Sequence, residues 1–162
     1  MKYIAVALLV ILVAGGVFFV SKFRKIASGP APTPTVEPLV QLPADKHPNI
    51  KLEFSADAHY VTVNIDNLHA TALEYNLIYE ATVKKTKLQT GVNASESLDG
   101  KTTYSKRQLL GSESSGKFTY HADIKNAVME LTLRDTSGRS IFTSAYPFAV
   151  SPGKSINLEA NL

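Results

Sequence analysis

The chain has no cysteine, no tryptophan and only 2 methionines in its 162 residues. Without thiols it can form no disulfide, no thiolate zinc site and no lipid-modified cysteine. It also lacks net charge where charge would name a partner. Residues 1–44 hold Lys2, Lys22, Arg24 and Lys25 against Glu37, so 4 − 1 = +3. Residues 45–162 hold the remaining 13 Lys+Arg against 13 Asp+Glu, which cancel. The sequence pI of about 9.0 therefore belongs to the N-terminal region. A neutral remainder has no footprint for a phosphate backbone, so no nucleic-acid partner is expected. Helical periodicity is scarce as well: past the N-terminal segment the apolar spacing is two, not 3.6.

One long apolar run is present. Residues 3–21, YIAVALLVILVAGGVFFVS, contain no charge. As a helix they would span about 28 Å at 1.5 Å per residue, close to the roughly 30 Å hydrocarbon core of a bilayer. Lys2 precedes the run, and Lys22, Arg24 and Lys25 follow it. The run is longer than a signal-peptide core, and cations stand where a cleavage site would fall. The expectation is an uncleaved signal anchor over residues 1–27 that contacts membrane lipid through residues 3–21. A cleaved leader is the alternative.

Flanking charge mildly favours a cytoplasmic C-terminus. Against it, long C-terminal domains translocate despite a few flanking cations, and the spacer that follows suits a surface-exposed architecture. The C-terminal domain is therefore expected to be extracytoplasmic. Six of the 8 prolines lie between Pro30 and Pro48. Proline fixes φ and lacks a donor, so residues 28–48 should form an extended linker of polyproline type. Leu39, Val40 and Leu42 are candidates for a first strand against the domain.

From residue 49 to 162 the alternation predicts strands with one buried face. Val61, Val63 and Ile65 form one such face. Leu73, Tyr75, Leu77, Tyr79, Ala81 and Val83 form another. Phe118, Tyr120 and Ala122, then Met129, Leu131 and Leu133, then Ile156, Leu158, Ala160 and Leu162 supply three more. Asp99-Gly100 and Asp135-Thr136-Ser137-Gly138 read as hairpin turns, and Pro152-Gly153 separates the last two strands. About eight short strands predict an all-β antiparallel sandwich of immunoglobulin or fibronectin type III kind.

Two segments carry a resemblance. Ala127 to Phe148, AVMELTLRDTSGRSIFTSAYPF, resembles the final hairpin of bacterial immunoglobulin-like and fibronectin-like domains, with a D-x-x-G turn between its strands. Leu109 to His121, LLGSESSGKFTYH, is similar to a segment of uncharacterised, membrane-anchored bacterial sandwich proteins. Those carry cysteines where Glu113 and Phe118 stand here. The resemblance implies a fold and no activity.

Motifs for chemistry are weak. Gly111 to Lys117 matches G-x-x-x-x-G-K, but Phe118 replaces the required Ser/Thr and a strand follows instead of a helix, so a hairpin loop is expected. His47, His59, His69 and His121 have no metal spacing, and His121 is expected to point outward. No nucleophile elbow surrounds any serine. Glu74, Glu80 and Asp123 could pair as carboxylates only if the fold brought them together. Asn93-Ala94-Ser95 is a sequon by pattern.

Lys84, Lys85 and Lys87 form a basic cluster at a strand end, where lysines discourage edge-to-edge pairing. Tyr104 and Tyr146 become interface anchors if they face outward. These five residues are the candidate interaction surface. No catalytic, cofactor or metal site is expected. The resulting expectation is a membrane-tethered, surface-exposed, non-enzymatic interaction or structural module. The alternatives are an accessory subunit of a membrane complex, whose Ala14-Gly15-Gly16 permits close helix approach, and a small envelope enzyme.

Overall fold

The computed structural model describes residues 41–159, and the anchor, most of the linker and the last three residues lie outside them. Ten strands follow a single 3₁₀ turn at Ala44–Lys46. They are β1 (Asn49–Phe54), β2 (Tyr60–Asp66), β3 (Ala72–Val83), β4 (Thr86–Ser97), β5 (Tyr104–Leu109), β6 (Gly111–Ser114), β7 (Lys117–Tyr120), β8 (Ala122–Arg134), β9 (Ser140–Phe148) and β10 (Ser155–Leu158). Among the described residues no helix is long and apolar enough to cross a membrane, and the expected span at residues 3–21 falls outside them.

The strands form two four-stranded sheets, ordered β10-β1-β2-β5 and β4-β3-β8-β9, and a separate two-stranded hairpin, β6-β7. All recorded pairings are antiparallel. The sheets pack face to face as a β-sandwich. Inward residues of β1 and β2 (Leu52, Val61, Val63, Ile65) and of β3 and β8 (Leu73, Leu77, Met129, Leu131, Leu133) are fully buried. Alternation put them there: period two gives each strand one apolar face, and burial of each such side chain contributes about 1.5–3 kcal/mol.

Two expectations change. Asp99-Gly100 does form a tight turn, with both residues at positive φ and the Lys101 amide donating to the Leu98 carbonyl at 2.8 Å. It is not a hairpin, because β4 and β5 lie in different sheets. The strand total is ten instead of about eight. The Asp135 turn is as expected: its Oδ1 accepts from the amides of Ser137 and Arg139, and Gly138 takes φ 76°.

The packed region starts ahead of β1. The Leu42 amide donates to the Ile141 carbonyl at 2.9 Å, and the His47 ring meets Phe142 edge-on at 5.0 Å. Asn67 Nδ2 donates to the carbonyl oxygens of Asp45 and His47. The chain thus enters the sandwich at the end that carries the 66–71 and 135–139 turns.

Polar groups cross the core between β5 and β3. Gln108 of β5 is buried and its Nε2 donates to the Tyr75 hydroxyl of β3 at 2.7 Å. The Tyr104 ring lies edge-on to Tyr75 at 5.9 Å. The Tyr104 hydroxyl is buried without a hydrogen bond of good geometry. Burial, then its Tyr75 neighbour, pushes that phenol far up. Loss of a satisfied buried bond and loss of an unsatisfied group have opposite signs. Tyr75→Phe should cost about 1–2 kcal/mol in urea denaturation, while Tyr104→Phe should be neutral or stabilising by up to about 1 kcal/mol.

A distal aromatic row as candidate functional site

The end of the sandwich opposite the chain entry is set by β2, which runs from Tyr60 to Asp66 over about 20 Å at 3.3 Å per residue. A tight loop precedes it. The Tyr60 amide donates to Ser55 Oγ at 3.0 Å, and the His59 amide donates to Asp57 Oδ1 at 3.0 Å. His59 Nδ1 sits 3.0 Å from Asp57 Oδ2. The Ser55 hydroxyl and then the His59 amide hold the Asp57 carboxyl below its usual range.

This loop holds His59 against the β6-β7 hairpin. The imidazole stacks on Tyr120 with centroids 3.6 Å apart and planes 5° from parallel. Phe118 lies nearly parallel to Tyr120 at 6.3 Å, and Tyr60 meets Tyr120 edge-on at 6.4 Å. Arg107 of β5 places its guanidinium carbon 3.9 Å from the Tyr60 ring centre. A continuous row results: Arg107, Tyr60, Tyr120, His59 and Phe118. Phe118 is 48% exposed and Tyr120 39%. The Tyr60 hydroxyl, ahead of desolvation, raises the Tyr120 phenol. Exposed aromatics with arginine are the residue types that dominate binding energy at protein interfaces.

The row corrects the expected phase of this stretch. Phe118, Tyr120 and Ala122 were expected inside and His121 outside; Phe118, Tyr120 and Ala122 are exposed and His121 is buried. A one-residue change of phase exchanges the two faces of a strand. It arises because the His121 amide donates to the Leu110 carbonyl between two strands. The imidazole Nδ1 then lies 3.0 Å from the Tyr79 hydroxyl inside the core. The Tyr79 phenol is pushed up to about 12 by burial, and burial also lowers the His121 pKa.

The candidate surface from the sequence divides. Tyr146 is 2% exposed and Tyr104 faces inward, so neither anchors a partner. Lys84 and Lys85 form the two-residue turn between β3 and β4, at φ 47° and 73°. Lys87 is the second residue of β4 and, with Glu80, Asp123 and Lys125, lines a hollow of 380 Å³. Glu80 and Asp123 therefore come together, flanked by two lysines. Glu74 does not join them, because Arg134 binds it through two hydrogen bonds of 3.0 and 2.9 Å. A second hollow of 310 Å³ beside the row is lined by Asp57, His59, His121 and Asp123.

The Ser55 hydroxyl donates to Asp57 and not to an imidazole, so Ser55, Asp57 and His59 do not stand in the order of a serine triad. Among the described residues no group of three or more His, Cys, Asp or Glu could hold a metal. The Gly111–Lys117 motif is the β6-β7 hairpin, turning at Ser115-Gly116. Glu113 and Phe118, the positions of the cysteines in the similar segment, are direct cross-strand partners. Comparison with protein-family models, with curated proteins and with solved structures finds no match.

Two predictions follow from these turns and contacts. Lysine in the left-handed region costs energy that Asn-Gly does not, so Lys84→Asn with Lys85→Gly should raise urea-measured stability by about 1–2 kcal/mol. A lower stability would show that the lysines are held there by other contacts. The second concerns acid. Burial lowers the folded-state pKa of His121 from 6.5, so the unfolded chain binds the proton first. That part of the stability is complete above pH 6.5 and is lost as pH falls below it. His121→Phe should flatten the fall in melting temperature between pH 7 and pH 5.

Proposed function

We propose that this chain is a membrane-tethered, non-enzymatic binding module, an immunoglobulin-like or fibronectin type III-like sandwich outside the cytoplasm that engages its partner through the distal aromatic row. The observation that carries the reading is the position of the row. The chain enters the sandwich beside Ile141 and Phe142, and the exposed Phe118 and Tyr120 lie at the other end. A tether through residues 3–21 and the proline-rich linker would leave that end free.

The finer fold assignment is supported by strand order. With the β6-β7 hairpin set aside, the chain crosses between the two four-stranded sheets after β2, β4, β5 and β9, as in Greek-key sandwiches of that class. A non-enzymatic role is supported by the Ser55-Asp57-His59 order, which is not that of a serine triad. A partner matched to Tyr, Phe and Arg should gain most of its affinity from few residues.

The test uses the full chain in its own membrane. A photoreactive phenylalanine analogue at Phe118 should give discrete, reproducible adducts, whereas the same analogue at exposed Lys101, near the entry end, should not. Tyr120→Ala with Phe118 labelled should reduce adduct yield about tenfold. Equal adducts from both positions, or none from position 118, would contradict the assignment of the row.

A further inference from the structure

Sheet edges expose unpaired N–H and C=O groups, and proteins blunt them with short strands, charge, proline or bulges. Three of the four outer edges here are blunted. β10 has four residues, and β5 carries Lys106 and Arg107. β9 contains Pro147, has an irregular register opposite Arg134, and is bonded by Leu42. β4 differs. It runs twelve residues from Thr86 to Ser97 and, among the described residues, pairs only with β3. Its charges, Lys87 and Glu96, stand near its ends, and residues 88–95 have none. Lys84 and Lys85, expected to guard this edge, are in the turn beyond it.

We infer that the β4 edge pairs antiparallel with β4 of a second copy of this chain, centred on Thr90. The strand is self-complementary in that register. Thr90, Val92 and Ala94 are the half-buried positions, so even-numbered residues face the sandwich interior. A two-fold axis at Thr90 sets Leu88 opposite Val92 of the other copy, and Val92 opposite its Leu88. Leu88, 40% exposed here, is then covered. Lys87 meets Asn93, so no like charges are opposed. Each Lys84-Lys85 turn comes to lie beside the other copy's Glu96. Opposite ends of the strand carry opposite charge, and the antiparallel arrangement matches them twice. The contact is isologous and closes on itself, joining two four-stranded sheets into one of eight.

The absence of native cysteine makes this directly testable. Residues facing each other on an antiparallel two-fold lie within disulfide range, while those three positions from the axis do not. Full-length Thr90→Cys in detergent should oxidise to a covalent dimer, and Asn93→Cys should not. Thr90→Lys sets two like charges face to face on the axis, and should raise the dimer dissociation constant at least tenfold in sedimentation, while the circular-dichroism spectrum stays that of a folded β protein. A monomer at micromolar concentration, or equal cross-linking at both cysteine positions, overturns the inference. A Thr90→Cys adduct formed only with a different polypeptide overturns it too, since the edge would then take a foreign strand. Because Thr90 is on the other sheet from the aromatic row's Tyr60 and Arg107, failure here is distinct from failure of the row.

Discussion

Everything in this sandwich depends on burying one face of β3 and β8 against β1 and β2. β3 pairs with β4 on one side and β8 on the other, and its five alternate residues from Leu73 to Ala81 are at most 2% exposed. With no cysteine to close the fold by a disulfide, apolar burial is the dominant favourable term. Removing one side chain at its centre, such as Leu77 or Leu131, should therefore cost about 2–5 kcal/mol, a large part of a small domain's margin. The polar groups that enter the core, Gln108 and His121, are each tied to a tyrosine of β3, Tyr75 and Tyr79. Those two bonds fix where β5 and the 121–126 segment cross the sandwich.

The ends of the molecule follow from this core. One end is closed by the incoming chain, with Asn67 bonded back to Asp45 and His47. The other is built from the Ser55–Tyr60 loop and the β6-β7 hairpin, which is too small to bury its own aromatics. Phe118 and Tyr120 are therefore displayed, stacked on each other, with the His59 and Tyr60 rings packed on Tyr120. The local hydrogen bonds of Asp57 fix His59 in the stack, so the row is held in place before any partner arrives. Preorganisation of that kind reduces the ordering cost of binding.

The core was legible in the sequence because β2, β3 and residues 127–134 of β8 alternate without interruption. Met129, Leu131 and Leu133 occupy the face their spacing predicts. Edge and hairpin elements were not legible for the same reason. β4 has only Leu88, Val92 and Ala94 on its inward face, broken by Thr90, and its Gly91 has the Leu77 carbonyl where a Cβ would stand, so no continuous apolar pattern marks it. Sheet membership was also hidden, since Asp99-Gly100 turns as tightly between sheets as within one. The aromatic row was missed because Phe118 and Tyr120 alternate as core residues do. The available signal was the four-residue length of their strand between Gly116 and His121. Tyr104 and Tyr146 gave the converse error: they have the composition of interface anchors but the positions of core.

The proposed tethering requires a folded sandwich whose β6-β7 end would be open to the medium outside the cell while residues 3–21 would stay in the membrane. The most direct measurement labels Ser114→Cys, on the exposed hairpin, with a membrane-impermeant maleimide in intact cells, beside Leu77→Cys in the core. The account predicts rapid labelling at 114 without lysis, and labelling at 77 only after denaturation. Protection of position 114 until the cells are broken, or equal labelling of both positions, would contradict it.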